Sequence, residues 1–138
     1  MSEPLFTLEF TGAPVPAMRP RFTRAGNTYN DPTYQHYKAA LASQFRRANP
    51  FLTADIPERN TKQRGKWLAS HRYELSVQVY TATRRGDLDN YVKTVQDAMQ
   101  DAGVIADDVQ IDGYRQPFFK TLNKDNPRIV VTLWRLED

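Results

Sequence analysis

Cysteine is absent from the 138 residues, which removes disulfides, thiolate zinc sites and cysteine nucleophiles at once. Histidine occurs only as His36 and His71. Each is expected on a surface or helix face rather than as a general base, so acyl-transfer triads have little support. The six glycines form neither a Walker A loop nor a G-x-G-x-x-G fingerprint, so no nucleotide cofactor is expected, and a small-molecule phosphohydrolase is disfavoured. No apolar run approaches the ~20 residues of a membrane span, and Met1-Ser2-Glu3-Pro4 does not open like a signal peptide. The expectation is a soluble protein of a reducing compartment, with no membrane partner.

What is present reads as globular: 40% hydrophobic, 25% charged and 12% aromatic residues, in a chain of single-domain length. Residues 1–138 are therefore expected to form one domain, large enough to bury a core without staples. Net charge is +3, but it is divided along the chain. Residues 1–86 carry 13 Lys and Arg against 6 Asp and Glu, whereas residues 87–138 carry 6 against 10. A basic half suits a polyanion, and an acidic cluster suits a metal; ordinary solubilising surface is the plain alternative for both.

Leu5, Phe6, Leu8 and Phe10 predict a strand. Three prolines and a glycine make 12–20 irregular, and Gly26-Asn27 is a turn between short extended arms. Asp31-Pro32 starts a helix whose face is Tyr34, Tyr37, Leu41, Phe45 and Ala48, stopping at Asn49-Pro50. Residues 51–70 show no period and are expected to be an exposed basic loop. Strict alternation over 73–80 predicts a half-buried strand. A second helix begins near Asp87 or Asp89, with Leu88, Val92, Val95, Met99 and Ala102 as its stripe and Gly103 past its end. Strands follow at roughly 113–121 and 129–136. The predicted order is β-α-β-α-β-β, an α+β two-layer domain with two helices on one mixed sheet.

The most informative stretch, Arg84-Arg85-Gly86-Asp87-Leu88-Asp89-Asn90-Tyr91-Val92-Lys93, lies where a core strand gives way to a helix, a junction that holds side chains in place. The structural alternative is that Asp87 caps the helix while Asp89 sits in its favourable first turn. Asp89, Lys93, Asp97 and Asp101 share one helical face, and for Asp97 and Asp101 the simpler reading is a solvated face paired with Lys93. Asp107-Asp108 follow the helix. If they return to Asp87 and Asp89, carboxylates without His or Cys select Mg²⁺ or Mn²⁺, and the Asp87 spacing rejects an EF-hand. Carboxylate-bound metal within a basic protein suits phosphodiester cleavage, with Lys93 orienting the nucleophile or offsetting transition-state charge. Arg84 and Arg85 suit backbone phosphates, as do Arg19, Arg21 and Arg24 near Phe22 and Tyr29, and the loop cations Lys62, Arg64 and Lys66.

Arg-Gly-Asp87-Leu-Asp-Asn-Tyr-Val-Lys93, then Asp97-Ala-Met, then Ala-Gly103-Val-Ile-Ala-Asp-Asp108-Val-Gln110, resembles the signature of RusA-type Holliday junction resolvases of bacteria and their phages. Pro14-Val-Pro-Ala-Met-Arg-Pro-Arg21 with Tyr29 resembles the family's proline- and arginine-rich N-terminal segment. The resemblance covers about residues 5–135, with 51–70 a departure. It implies a homodimeric, Mg²⁺-dependent endonuclease of DNA recombination and repair, with Mn²⁺ able to substitute, cytoplasmic and bacterial or phage-encoded, that nicks four-way junctions symmetrically. On that implication Asp87, Asp89 and Asp108 are the catalytic metal carboxylates and Lys93 the essential lysine. Asn90 takes a positional role, and Asp107 is a weaker supporting candidate. The alternative is a branched-DNA binding protein of the same fold, acting mainly on forks or flaps with little resolvase activity.

Overall fold

A computed structural model describes residues 3–17, 21–22, 28–29, 31–48 and 56–136. Its elements are β1 (Phe6–Thr11), β2 (Arg21–Phe22), β3 (Thr28–Tyr29), α1 (Pro32–Ala48), α2 (Lys62–Ser70), β4 (Tyr73–Thr81), α3 (Leu88–Asp101), a 3₁₀ turn (Asp108–Gln110), β5 (Ile111–Tyr114), β6 (Phe119–Leu122) and β7 (Arg128–Arg135). The fold is α+β, built on one mixed five-stranded sheet.

Sheet order is β1-β7-β4-β5, and β6 pairs β4 further along. β7 lies between β1 and β4, antiparallel to both, with Phe6 opposite Leu133 and Leu133 opposite Leu75. β5 and β6 run parallel to β4, paired first at Tyr73↔Ile111 and then over Gln78↔Phe119 to Thr81↔Leu122. Parallel pairing requires the chain to cross back between β4 and β5, and α3 is that crossover.

The alternating residues of β4 and β7 and the stripes of α1 and α3 meet in one core. Leu41 and Phe45 of α1, Val95 and Met99 of α3, and Leu75, Val77, Val79, Ile129, Val131 and Leu133 of the sheet are all sealed from solvent. Each such side chain contributes about 1.5–3 kcal/mol by leaving water, and this holds α3 against the sheet. Asp31 starts α1 as its sequence suggests, its Oδ1 accepting from the Thr33 N–H at 2.7 Å.

Three expectations are corrected. Residues 62–70 are helical rather than loop: Thr61 accepts from the Arg64 N–H at 3.2 Å as an N-cap. α2 buries no residue fully, so it needs no apolar stripe, and that is why periodicity missed it. Residues 51–55 lie outside the described residues. The single strand over 113–121 is two strands, split around Gln116-Pro117, where proline has no N–H to continue a ladder. Finally, the described residues hold three α-helices rather than two, together with the small antiparallel pair β2–β3. Its arms pair as expected, Arg21 with Tyr29 and Phe22 with Thr28; the proposed turn Gly26-Asn27 falls outside the described residues.

Candidate active site

The loop from β4 to α3 is braced by residues distant in sequence. Thr81, at the end of β4, donates from its hydroxyl to the Thr121 carbonyl at 3.2 Å, and the Asn123 N–H returns a bond to the Thr81 carbonyl at 2.8 Å. Buried Tyr91 donates from its hydroxyl to the Arg85 carbonyl at 2.8 Å, and Lys120 Nζ donates to the Gly86 carbonyl at 2.5 Å. Gly86 has φ +87°, and a Cβ there would stand 2.9 Å from the Tyr91 ring. Glycine is thus required twice over, by the left-handed backbone and by the ring against it.

Asp87 takes the N-cap position of α3, its carbonyl accepting from Asn90 N–H at 3.0 Å and Tyr91 N–H at 3.3 Å, but its side chain makes no capping bond. The capping alternative therefore does not account for its carboxylate. Asp89 follows in the first turn, and both residues are exposed. Two carboxylates stand where the helix dipole favours negative charge.

Asn90 acts through its backbone. Its carbonyl accepts from the Ala17 N–H at 3.0 Å, and one turn on, Thr94 donates to the Val15 carbonyl at 2.9 Å. The proline-rich stretch is thereby laid along α3, and the chain leaves Ala17 heading into the arginine-rich segment. Arg19 and Arg24 lie outside the described residues, and Arg21 is placed by its backbone in β2.

The acid pair is held by a buried glutamine. Gln110 Oε1 accepts from the N–H groups of Ala106 at 2.7 Å and Asp107 at 3.2 Å, while its Nε2 donates to the His71 carbonyl at 2.9 Å. Asp107 caps the 3₁₀ turn, accepting from the Val109 N–H at 3.0 Å. That bond, together with a hydrogen bond from Asp108 and the charges of Arg64 and Arg59, holds its carboxyl below the ordinary range. Asp108 is pushed the other way, first by the shared hydrogen bond with Asp107, then by burial and the Asp107 and Asp97 charges; Lys93 opposes the shift. Lys93 itself pairs with Asp97 at 3.6 Å, as the helical spacing suggested. Tyr34 donates to the other Asp97 oxygen at 2.8 Å, and its own ionisation is driven upward by burial and by that carboxylate.

The candidates thus fall along α3 in two groups. Asp87 and Asp89 stand at its start, while Asp108 faces Lys93 and Asp97 further along; Lys93 lies about 6 Å of helical rise beyond Asp89. Among the described residues, no three acidic or histidine side chains stand close enough to hold one ion. The donor chemistry still suits a hard divalent cation, since every donor is a carboxylate oxygen. Magnesium commonly takes only one or two protein carboxylates and completes its shell with water and substrate phosphate.

Arg84, Arg85, Lys62 and Lys66 are exposed. Arg64 is engaged within the chain, donating to the Pro57 carbonyl at 3.1 Å and the Ala106 carbonyl at 3.3 Å, which ties α2 to the loop carrying the acid pair. Asp101 pairs with Lys38 at 3.4 Å, and Asp112 is bound by Arg72. His36 is exposed as expected, and His71, half-buried, stacks on Trp67 with ring centres 4.3 Å apart. Sequence reasoning passed over Tyr34, Tyr91, Gln110 and Lys120. Tyr91 and Gln110 lay inside the recognised motifs without being given a role, whereas Tyr34 and Lys120 act through contacts 63 and 34 residues apart, which no local pattern reveals.

No helix among the described residues is long and apolar enough to cross a membrane. No curated protein matches the chain. A family model, endodeoxyribonuclease RusA, matches residues 11–134, a span that takes in the braced loop, all of α3, the acid pair and the basic helix α2. By that match the chain belongs to the RusA endodeoxyribonuclease family.

Proposed function

We propose that the protein is a Mg²⁺-dependent, structure-specific endodeoxyribonuclease that resolves four-way DNA junctions by paired nicks, with Mn²⁺ able to replace Mg²⁺. The observation that carries this reading is the junction loop: within a chain of this family, two exposed carboxylates at the α3 N-terminus follow a backbone braced by Tyr91 and Lys120. Asp87, Asp89 and Asp108 would supply the carboxylates for the metal, one or two to an ion with water and substrate phosphate completing its shell, since no three acidic side chains among the described residues stand close enough to hold one ion. When bound, a divalent cation supplies Lewis-acid polarisation of the phosphodiester and neutralises charge developing on it.

The chain's own residues do the rest. Gly86, Tyr91 and Lys120 fix the loop so that Asp87 is presented without searching conformations. Lys93, 62% exposed at its side chain, offers an ammonium whose charge is felt at Asp108 and which can offset negative charge in the transition state. Asp107 and Gln110 position Asp108. Arg84, Arg85, Lys62 and Lys66, with Arg19, Arg21 and Arg24, contact backbone phosphates and carry little base information. A four-way junction has two-fold symmetry, and one chain has one such site, so paired nicking calls for a C₂ homodimer. Such an enzyme works on branched DNA in the bacterial cytoplasm, encoded by the cell or by a phage.

A second reading, a branched-DNA binder acting on forks or flaps with little resolvase activity, draws on the absence of a three-carboxylate cluster among the described residues. One experiment separates the two. Synthetic four-way junctions, forks, flaps and linear duplex are incubated with the protein, with and without Mg²⁺, while light scattering follows the complex. The proposal expects symmetric, metal-dependent nicks in the junction and a dimer. A stable 15.9 kDa monomer on junction DNA, or tight binding without cleavage at any Mg²⁺ concentration, would overturn it.

A further inference from the structure

β4 and β6 run parallel and stop together, Thr81 opposite Leu122, and the loop into α3 leaves from the same end of the sheet. Between the strand ends and that loop lies an open cleft of about 540 Å³ lined by Thr81, Arg84, Lys120, Thr121 and Leu122. In sheets with parallel strands, ligands gather at the carboxyl ends, beside the start of the following helix. Here that position holds two cations. Among the described residues, neither Arg84 nor Lys120 has an acidic partner, although five other cations do.

Lys120 is placed rather than free. It rises from a strand, and among the described residues its ammonium bonds only the Gly86 carbonyl, which leaves two of its three N–H donors for a ligand. The cleft floor is fixed by the Thr81 hydroxyl on the Thr121 carbonyl. An ammonium already ordered loses little freedom when an anion arrives. The Arg84 guanidinium, which also lines the cleft, adds a planar pair of donors of the kind that grips phosphate oxygens. The Gly86 carbonyl that Lys120 holds belongs to the residue before Asp87, so an anion in this cleft is a direct neighbour of the acidic start of α3.

We propose that the cleft between the ends of β4 and β6 is a phosphate subsite, in which Lys120 and Arg84 hold one backbone phosphodiester of the DNA strand that runs on past Asp87. The proposal rests on the nuclease reading for its choice of ligand, and it adds Lys120 to the DNA-contacting residues. Lys120 then has two roles in one position, bracing the loop through Gly86 and anchoring the strand that the loop addresses.

The test uses Lys120→Ala, Lys120→Arg and Arg84→Ala on the full chain, with a four-way junction and a linear duplex of the same sequence. Affinity is measured across salt, then again on DNA in which single phosphates are replaced by neutral methylphosphonates. Lys120→Ala should lower the slope of log K against log salt by about 0.9 for each phosphate that the lysine neutralises. One methylphosphonate position should weaken the wild type yet have no further effect on Lys120→Ala, and Lys120→Arg should restore most of the affinity. If every methylphosphonate weakens Lys120→Ala as much as wild type and the slope is unchanged, Lys120 is only a brace and the subsite is refuted. Should Lys120→Ala melt early, Arg84→Ala, altered at an exposed position, carries the same comparison with the same two outcomes. A slope change that persists on duplex, together with no cleavage of any junction by the wild type, would retain the subsite and discard the nuclease reading.

Discussion

Helices α3 and α2 both carry charge toward solvent, but they are attached to the molecule in opposite ways. α3 buries Tyr91, Val92, Thr94, Val95, Ala98 and Met99, whereas α2 buries nothing completely. α2 is held instead by its Thr61 cap, by Arg64 on the carbonyls of Pro57 and Ala106, and by Trp67 stacked on His71. The residues assigned to chemistry thus sit on, or against, a helix whose position the core dictates. The cations assigned to α2 sit on a helix that a handful of polar contacts keep in place. Substituting in the core should disturb the catalytic frame, while substituting in α2 should mainly change how DNA is gripped.

The contrast is sharpest in stability. Met99→Ala leaves a cavity in the sealed core and should cost about 2–5 kcal/mol, whereas Leu68→Ala in half-buried surroundings should cost about 1 kcal/mol or less. Urea unfolding with an unchanged m-value measures both. Equal costs would mean that α2 belongs to the core after all.

Gly86→Ala comes next, because it strikes the frame at the edge of the core, where the Tyr91 ring lies against it. A side chain at φ +87° and 2.9 Å from the Tyr91 ring should cost about 1–3 kcal/mol, and it should lower the cleavage rate by far more than it lowers junction affinity. Tyr91→Phe, which removes only the hydroxyl on the Arg85 carbonyl, should cost about 1 kcal/mol. The two changes should not be additive, since both act on one contact. Wild-type cleavage by Gly86→Ala would show that the loop conformation is not what presents Asp87.

The same division between core and polar attachment decides what could be read in the sequence. α1, β4, α3 and β7 were legible because burial imposes a period on Leu41/Phe45, Leu75/Val77/Val79, Val92/Val95/Met99 and Ile129/Val131/Leu133. α2 was not, because a helix secured by Thr61 and Arg64 imposes no apolar repeat. The break between β5 and β6 was hidden because both halves are of strand composition, and proline's missing N–H interrupts the ladder locally. At the site, Asp87, Asp89, Asn90 and Lys93 were legible as one motif. Two of their braces were not, since Lys120 and Tyr34 reach the site only through sheet pairing and helix packing; Gln110 lies beside the acid pair in sequence, but its side-chain bond to the His71 carbonyl comes from packing.

Within α2 the cations should separate into two kinds. Arg64→Ala removes two charge-assisted bonds, one to the Pro57 carbonyl and one that joins α2 to the acid-pair loop at Ala106, so it should lower stability by about 1 kcal/mol and slow cleavage at saturating protein. Lys62→Ala and Lys66→Ala should leave the melting temperature unchanged and each reduce the salt slope of binding by about 0.9 per phosphate neutralised. Identical behaviour of all three variants would place Arg64 on the DNA instead.

On the proposed function, Asp87 and Asp89 at the start of α3 and Asp108 in the following 3₁₀ turn act together on one phosphodiester, and comparing cleavage with binding tests this most directly. Single-turnover cleavage and affinity for a four-way junction are measured side by side for Asp87→Asn, Asp89→Asn, Asp108→Asn and Lys93→Ala. On the proposed reading, each Asp→Asn change removes a charge that would serve the metal and would repel phosphate when no metal is bound. All three should therefore abolish nicking while binding stays intact or tightens. Lys93→Ala should depress the rate by far more than it weakens binding, as expected of a group acting mainly in the transition state. Loss of binding in parallel with cleavage, or wild-type rates from Asp108→Asn alongside inactive Asp87→Asn and Asp89→Asn, would contradict the account.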